Sequence, residues 1–257
     1  MALDHKVLRK FKAFTLQLSD LVTVNSSVTK TKTKEISPSN SHKLVLLPTG
    51  ILPYKSVSEH TINALRSSLL RSSDSKLLLF VGRLNEEKGV SELLKATQQL
   101  INDGSKITLA LVGVGHEEMK FKEQVQELGI ESSVKFLGWV DSKNIYNYYA
   151  AADVFVGPSK RSASGGVEAQ GLTFAEAMLA GCKVVGTNSG GIPDAVIDGK
   201  TGWLAEPDNA ISLSENIKKA LDNDSTEITD TASAFAKDNY LVQNTVRRFL
   251  KSLKDEA

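Results

Sequence analysis

Two carboxylates, Glu168 and Glu176, stand eight positions apart in the segment GVEAQGLTFAEAMLAG. The apolar spacing after Gly171 predicts a helix that begins near Leu172, so Glu168 lies in the preceding loop and Glu176 in the early turns. The first amides of a helix have no partner inside it and carry partial positive charge, which suits a phosphate group. Because carboxylates accept hydrogen bonds from hydroxyl groups, the pattern is typical of a site for a diphosphate flanked by two sugars.

The same two glutamates could instead be solvated charges, since acidic residues are favoured near any helix N-terminus. A second pair of charged residues bears on that choice. Arg83 and Lys88 occur in FVGRLNEEKG, in the loop after a predicted strand. Ligands of open parallel sheets bind beyond the carboxyl ends of the strands, where Arg can grip phosphate oxygens and Lys adds a point charge. The two cations together favour the phosphate interpretation over solvated loop side chains.

The elements that would position these residues follow a repeating pattern. Short apolar runs, each followed by glycine, are typical of strands buried on both faces, and stretches with helical spacing lie between them. One such stretch has a predicted apolar stripe of Met119, Phe121, Val125 and Leu128. The pattern predicts an α/β fold with a Rossmann-like parallel sheet flanked by helices. The predicted strands are residues 77–81, 107–112, 134–137, 153–156 and 183–185.

The composition narrows the class of protein. The chain has 257 residues, of which 41% are hydrophobic and 24% charged, as expected for a globular protein of one or two domains. The single cysteine, Cys182, excludes a disulfide within the chain and favours a reducing, cytoplasmic compartment. No apolar run approaches the roughly 20 residues of a membrane-spanning helix.

The charge is unevenly distributed along the chain. Residues 1–76 hold 12 Lys/Arg and 5 Asp/Glu, whereas the remainder holds 19 and 25. A basic helix with apolar spacing is predicted over residues 5–18, and two interpretations of it stay open. It either contacts the inner face of a membrane peripherally or is half-buried in a domain. No basic patch is interleaved with aromatic residues, which argues against a nucleic-acid partner.

Five motifs, in the same order, resemble those of glycosyltransferase family 4, whose members retain anomeric configuration and have the GT-B fold. LLLFVGRLNEEKGVSELLKA is similar to the family's first strand with its Arg and Lys, LALVGVGHE to the second strand, and VKFLGWV to the loop that receives the base. EAQGLTFAE matches the family's pair of Glu residues, and VVGTNSGGIPDAVIDGKTGWLAEPDN matches the segment after it. The resemblance covers residues 43–207 and identifies the chain with the C-terminal, donor-binding half.

The resemblance implies a role for each matching residue. Arg83 and Lys88 would neutralise the donor diphosphate, Glu168 would hold the donor sugar, and these three are the candidate catalytic residues. Glu176 would hold the ribose. The implied donor is a nucleotide-sugar, with UDP as the nucleotide, and the implied acceptor is a glycan or a lipid-linked acceptor. Neither a metal nor a cofactor is required. The implied donor-binding residues are Gly82, Gly113, Gly138, Trp139, Val140, Gly171, Leu172, Thr173 and Glu176.

GT-B enzymes have two Rossmann-like domains, and the resemblance divides this sequence into three segments. Residues 1–53 resemble the end of an N-terminal domain, and residues 54–238 are expected to form the donor domain. Residues 239–257 are expected to form a terminal helix that crosses back towards the N-terminal domain. Transfer of the sugar is therefore expected to need an N-terminal half or a partner chain that supplies it. Two alternatives stay open: a non-catalytic nucleotide-sugar-binding module, and a sugar-nucleotide epimerase on the same fold.

Overall fold

The computed structural model describes residues 5–54, 56–162 and 165–255, without the side chains of His5, Lys6 and Asp255. The chain divides into two compact units. The larger unit is Pro53–Lys237, and the smaller unit contains the described residues up to Leu52 and from Asp238 onward. In chain order the elements are α1 His5–Leu18, β1 Val22–Val24, α2 Ser27–Ile36, β2 Leu44–Leu46, α3 Glu59–Leu69, β3 Lys76–Val81, α4 Val90–Asn102, β4 Ile107–Val112, α5 Glu118–Glu127, β5 Val134–Gly138, α6 Ser142–Ala151, β6 Val154–Gly157, α7 Leu172–Leu179, β7 Lys183–Thr187, α8 Ile192–Ala195, β8 Trp203–Ala205, α9 Ala210–Asp222, α10 Glu227–Tyr240 and α11 Val242–Asp255.

A parallel sheet forms the centre of the larger unit, and its described strands follow the order β5-β4-β3-β6-β7-β8. β3 pairs with β4 along its whole length, from Lys76 opposite Ile107 to Val81 opposite Val112. Because all of these pairings are parallel, the carboxyl ends of the strands meet at one edge of the sheet. The predicted α/β fold with a parallel sheet is confirmed, and the five predicted runs correspond to β3 to β7.

Alternate side chains of the central strands pack against helices on the two faces of the sheet. Phe80 and Val156 join a buried cluster with residues of α4 and α9 on one face. On the other face Phe155 packs edge to face against Phe174 of α7, with ring centroids 5.1 Å apart. Both layers are therefore packed directly under the edge where the strands end, which gives the loops there a rigid base.

Two details differ from the sequence predictions. Met119 is 65% exposed, whereas Phe121 and Val125 of the same helix, α5, are buried. Residues two positions apart point about 200° away from each other around a helix, so Met119 cannot share the buried face of Phe121. The sequence also does not predict β8, because Trp203–Ala205 is too short to form a recognisable apolar run; it pairs with β7.

The smaller unit holds a short parallel pair of strands, with Val22 of β1 opposite Leu44 of β2. The Lys43 ammonium donates to the carbonyl oxygens of Gln17 and Ser19 at 3.0 and 2.7 Å, which caps the end of α1. Ile51 is bonded to the junction between α10 and α11, because its amide donates a hydrogen bond to the Tyr240 carbonyl at 2.6 Å. Hydrogen bonds between segments that are distant in the sequence thus fix the backbone of this unit at several points.

The basic helix predicted over residues 5–18 is present as α1. Phe11, Phe14 and Leu18 on this helix are 63%, 55% and 68% exposed. Within the part of the chain that the structure describes, no helix is both long and apolar enough to cross a membrane. Peripheral contact with a membrane stays a prediction.

Candidate functional site

Two basic residues follow β3 at the carboxyl edge of the sheet, as the sequence predicts. Arg83 lies just beyond the strand, and Lys88 ends a short 3-10 turn, Glu86–Lys88, that leads into α4. The side chain of Lys88 is only 22% exposed, whereas that of Arg83 is 75% exposed and lies 3.6 Å from the Glu87 carboxylate. The loop after β3 therefore presents one fixed, largely buried cation, Lys88, and one solvated cation, Arg83.

The fixed cation forms an ion pair with the first of the two glutamates. The Lys88 ammonium lies 2.5 Å from an oxygen of Glu168, and both side chains are about one-fifth exposed. The other oxygen of Glu168 accepts the amide of Gly171 at 3.4 Å. Burial raises the pKa of Glu168, but the hydrogen bond and the charge of Lys88 outweigh it, so the pKa lies below its usual value. Glu168 is therefore an ionised carboxylate at neutral pH.

Helix α7 begins at Leu172, which confirms the predicted start. Gly171 precedes it with φ of +70°, a left-handed conformation that suits glycine. The first amides of a helix, here at Leu172 and Thr173, have no acceptor within the helix and form its positive end. The Glu168 carboxylate and the Lys88 ammonium lie beside this end, so a fixed charge pattern surrounds it.

Three predicted catalytic residues line one cavity. Arg83, Lys88 and Glu168 face a space of about 270 Å³ at the carboxyl edge of the sheet. Lys160 also lines this cavity, and it lines a neighbouring cavity of about 560 Å³ as well. Glu176 does not line the smaller cavity, so the two glutamates occupy different environments.

Glu176 lies one turn further along α7 and is held by two tyrosines. The hydroxyl of Tyr149 donates to one carboxylate oxygen at 2.8 Å, and that of Tyr54 donates to the other at 3.3 Å. Burial raises the pKa of Glu176, whereas the two hydrogen bonds lower it, and the net result is a raised pKa. Burial together with the Glu176 charge raises the pKa of Tyr54 to about 12, so Tyr54 remains a donor at neutral pH.

The other predicted donor-binding residues lie at the ends of neighbouring strands. Gly138 ends β5, and Trp139 after it is 71% exposed, while Val140 is half-buried. A Cβ on Gly113 would lie 1.9 Å from the Gly82 carbonyl oxygen. Gly113 is thus required by the close approach of the segments that follow β3 and β4. Contact of Gly82 and Gly113 with a ligand stays a prediction.

The glycine pair in the segment TNSGGIPD holds the backbone of Glu168. The Gly191 amide donates to the Glu168 carbonyl at 2.8 Å, and a Cβ on Gly190 would lie 2.3 Å from the same oxygen. The sequence assigns no role to this pair, although adjacent glycines are a recognisable sign of close backbone approach. The pair sets the path of the loop that carries Glu168.

Lys160 is a further residue of the site that the sequence does not single out. Its ammonium lies 2.9 Å from Asp208, 3.6 Å from Glu92 and 3.7 Å from Glu86, and its amide donates to the Glu87 carbonyl at 2.9 Å. These partners belong to the loops after β3 and β8 and to α4. Lys160, which follows β6, therefore ties three loops together at the carboxyl edge.

Across residues 5–54, 56–162 and 165–255, no group of three or more His, Cys, Asp or Glu side chains is arranged to hold a metal ion. The charged groups that the described residues offer at this cavity are Arg83, Glu87, Lys88, Lys160 and Glu168, with the positive start of α7 beside them. The expectation that the chemistry needs no metal stays a prediction.

The family model for glycosyl transferases group 1 matches residues 61–240, so the chain belongs to that family. Among curated relatives, the lipopolysaccharide 1,2-N-acetylglucosaminetransferase of Salmonella typhimurium strain LT2 is 31% identical over 200 residues, which cover 74% of this chain and 51% of that protein. A putative colanic acid biosynthesis glycosyltransferase, WcaL, from the same strain is 30% identical, covering 68% of this chain and 44% of the relative. The chain spans about half the length of these relatives.

Solved structures match the fold over nearly the whole chain. Anabaena HepE, determined in complex with UDP and glucose, superposes with a TM-score of 0.85 at 24% identity and covers 98% of this chain and 68% of HepE. A likeness at this identity shows the fold alone, which is the GT-B fold that the sequence motifs predict. The family is thus a group of glycosyltransferases, whereas assignment to family 4 and retention of configuration remain predictions.

Proposed function

We propose that this chain carries the donor site of a retaining, metal-independent hexosyltransferase that uses a UDP-sugar. The observation that supports it most directly is the Lys88–Glu168 ion pair beside the first amides of α7, with Arg83 on the same cavity. Cations and a helix N-terminus suit a diphosphate, and a carboxylate next to them suits sugar hydroxyls.

In the proposed complex the first amides of α7 and Lys88 hold the diphosphate. Glu168 accepts hydrogen bonds from the transferred hexose, and Glu176 accepts them from the ribose. The bond between the anomeric carbon and the phosphate oxygen breaks, and a bond from an acceptor hydroxyl to that carbon forms on the same face. The products are the glycosylated acceptor, UDP and a proton. Lys88, Arg83 and the helix stabilise the leaving diphosphate by fixed charges.

The choice of UDP and of the acceptor class rests on the relatives. HepE was solved in complex with UDP and glucose, and one curated relative is named as a lipopolysaccharide 1,2-N-acetylglucosaminetransferase. WcaL is named for colanic acid biosynthesis. We therefore propose a glycan or a lipid-linked molecule as the acceptor. A second domain of the GT-B architecture would bind it, either on the same polypeptide or on a partner chain.

Calorimetric titration of the purified chain with UDP and GDP, in EDTA and then with added Mg²⁺, tests the donor site without any need for an acceptor. We expect UDP to bind equally well in both buffers. Lys88→Ala should weaken binding about tenfold to a hundredfold, the value of one hydrogen bond to a charged group. Once an N-terminal half is supplied, proton NMR of the transferred sugar should show the anomeric configuration of the donor.

Lys106→Ala is the matched control for Lys88→Ala. Lys106 also pairs with a carboxylate, that of Asp74, but it lies just before the amino end of β4, at the opposite edge of the sheet. Its loss should leave UDP affinity unchanged. Failure of the folded chain to bind either nucleotide, or an equal effect of the two lysine variants, would contradict the proposed function.

A further inference from the structure

The carboxylate of Glu176 is gripped on both of its oxygens by protein hydroxyl groups. Tyr149 donates to one oxygen and Tyr54 to the other. The two donors come from different parts of the larger unit, since Tyr149 belongs to α6 and Tyr54 precedes α3. The carboxylate plane is therefore fixed from two directions, independently of the backbone of α7.

Each tyrosine is itself held in place by a second contact. Tyr149 has no solvent exposure and packs against the edge of Phe155, with ring centroids 5.6 Å apart. Tyr54 stacks on Tyr146 at 4.3 Å with an interplanar angle of 11°. The hydroxyl of Tyr146 in turn donates to the Leu179 carbonyl at the end of α7, at 2.6 Å. Neither phenol can leave Glu176 without breaking this packing.

We propose that Tyr54 and Tyr149 are positioning residues that orient the Glu176 carboxylate and keep it available as an acceptor for the ribose hydroxyls. This inference rests on the proposed function, in which Glu176 binds ribose. Each carboxylate oxygen has two lone pairs, so one tyrosine on each oxygen leaves a second lone pair for a ribose hydroxyl. The neutral phenols add no charge that would compete with the cations at the diphosphate.

The surroundings of Glu176 explain why donors are needed there. The titratable groups that face it or its partners are Tyr54, Tyr146, Tyr149 and Cys182, and none of these described groups is a cation. Burial in such a place favours the protonated carboxyl group. The two hydroxyl donors oppose this effect, as shown by their lowering of the Glu176 pKa. The tyrosines thus extend ribose recognition to lower pH.

Phenylalanine substitutions remove single hydroxyls and leave the rings in place. We would measure the affinity of Tyr54→Phe, Tyr149→Phe and the double variant for UDP, 2′-deoxy-UDP and 3′-deoxy-UDP. The wild type should prefer UDP over the deoxy analogues by about tenfold or more, as expected for a hydrogen bond to a charged acceptor. In the double variant this preference should fall towards parity. Tyr146→Phe is the matched control, because it removes a hydroxyl of the same cluster that does not touch Glu176, and it should keep the preference.

The pH profile gives a readout that altered packing would not produce. Wild-type affinity should fall as the pH drops through the Glu176 pKa. The loss should begin at a higher pH when either hydroxyl is removed, and at a still higher pH in the double variant, because each hydrogen bond lowers the Glu176 pKa. Carboxyl carbon NMR of the protein with ¹³C-labelled glutamate checks the same shift without a ligand, and Tyr146→Phe should leave the Glu176 titration in place.

The outcomes separate this inference from the proposed function. If the wild type binds UDP but the double variant keeps both its preference for UDP and its pH profile, the positioning role is wrong. If the Glu176 titration does not move in the double variant, the role is wrong even where a variant binds nucleotide poorly for another reason. If the wild type binds no nucleotide, the proposed function fails, and the role of the tyrosines in ribose recognition fails with it.

Discussion

Glu168 and Glu176 stand on one short segment and have opposite surroundings. Glu168 lies in a loop, pairs with the ammonium of Lys88, and has a lowered pKa. Glu176 lies inside α7, is held by two phenols, and has a raised pKa. Spacing along the chain brings the two acids to the start of one helix, whereas neighbours from distant parts of the sequence decide the charge state that each acid favours.

The difference matters for an anionic ligand. The partner of Glu168 is the cation Lys88, which a diphosphate would also attract. On donor binding, Lys88 can therefore give up part of its contact with the carboxylate and bind the phosphate instead. The partners of Glu176 are neutral and are not drawn to the diphosphate. We therefore expect the environment of Glu168 to change on donor binding, and that of Glu176 to be maintained.

The largest effect is expected where the loop of Glu168 is fixed. A Cβ on Gly191 would lie 2.1 Å from the Ala169 carbonyl oxygen, so Gly191→Ala must displace the backbone next to Glu168. We expect a loss of about 3 kcal/mol in the free energy of unfolding, at the upper end for overpacking. Gly199→Ala is the control, since Gly199 has φ of +69° but a methyl group added there would meet no atom within 4 Å. It should cost only about 1 kcal/mol from backbone strain. Equal losses in urea denaturation would show that the contact with Ala169 is unimportant.

Neutralisation should lower the stability of the fold at Glu168 and should not lower it at Glu176. A carboxylate with a lowered pKa stabilises the fold above its unfolded pKa, and this contribution is lost as the pH falls through the folded value. Glu168→Gln should therefore cost about 1–2 kcal/mol at neutral pH, between the values for exposed and buried ion pairs, and should reduce the loss of stability in acid. A raised pKa means that the ionised form is unfavourable in the fold, so Glu176→Gln should not lower the melting temperature at neutral pH. Thermal melts from pH 3 to pH 7 check both signs, and parallel behaviour of the two variants would contradict the contrast.

A smaller effect is expected for the exposed cation. Arg83 is three-quarters exposed and lies near Glu87, so it must be ordered and partly desolvated to bind phosphate. Arg83→Ala should weaken UDP binding about threefold to tenfold, less than Lys88→Ala does, because solvent screens its charge. The Arg83 contribution should also decline with added salt in calorimetric titrations. A loss larger than that of Lys88→Ala would reverse the proposed order of the two cations.

Much of this arrangement could be predicted from local sequence patterns. The strands β3 to β7 are short apolar runs before glycine, and the start of α7 follows from Gly171 and the apolar spacing after it. The position of Lys88 near Glu168 follows from the rule that strand ends share one edge. The partners of Glu176 could not be predicted, because Tyr54 and Tyr149 carry no motif and reach it only through the packing of α6 and of the segment before α3. The exposure of Met119 and the contacts of Lys160 likewise depend on neighbours that spacing does not reveal.

The central proposal is that Glu168 binds the transferred hexose and Glu176 binds the ribose of the same donor molecule. The most direct test is to measure by calorimetry how tightly the variants Glu168→Ala and Glu176→Ala bind two ligands. One ligand is UDP, and the other is UDP-glucose or UDP-N-acetylglucosamine, whichever the wild type binds more tightly. Glu176→Ala should weaken both ligands by the same factor, since both carry the ribose. Glu168→Ala should lower the affinity for the UDP-sugar. The affinity for UDP should stay the same or rise, because Lys88 is released from its ion pair. Equal effects of the two variants on both ligands would contradict the division of roles between the glutamates.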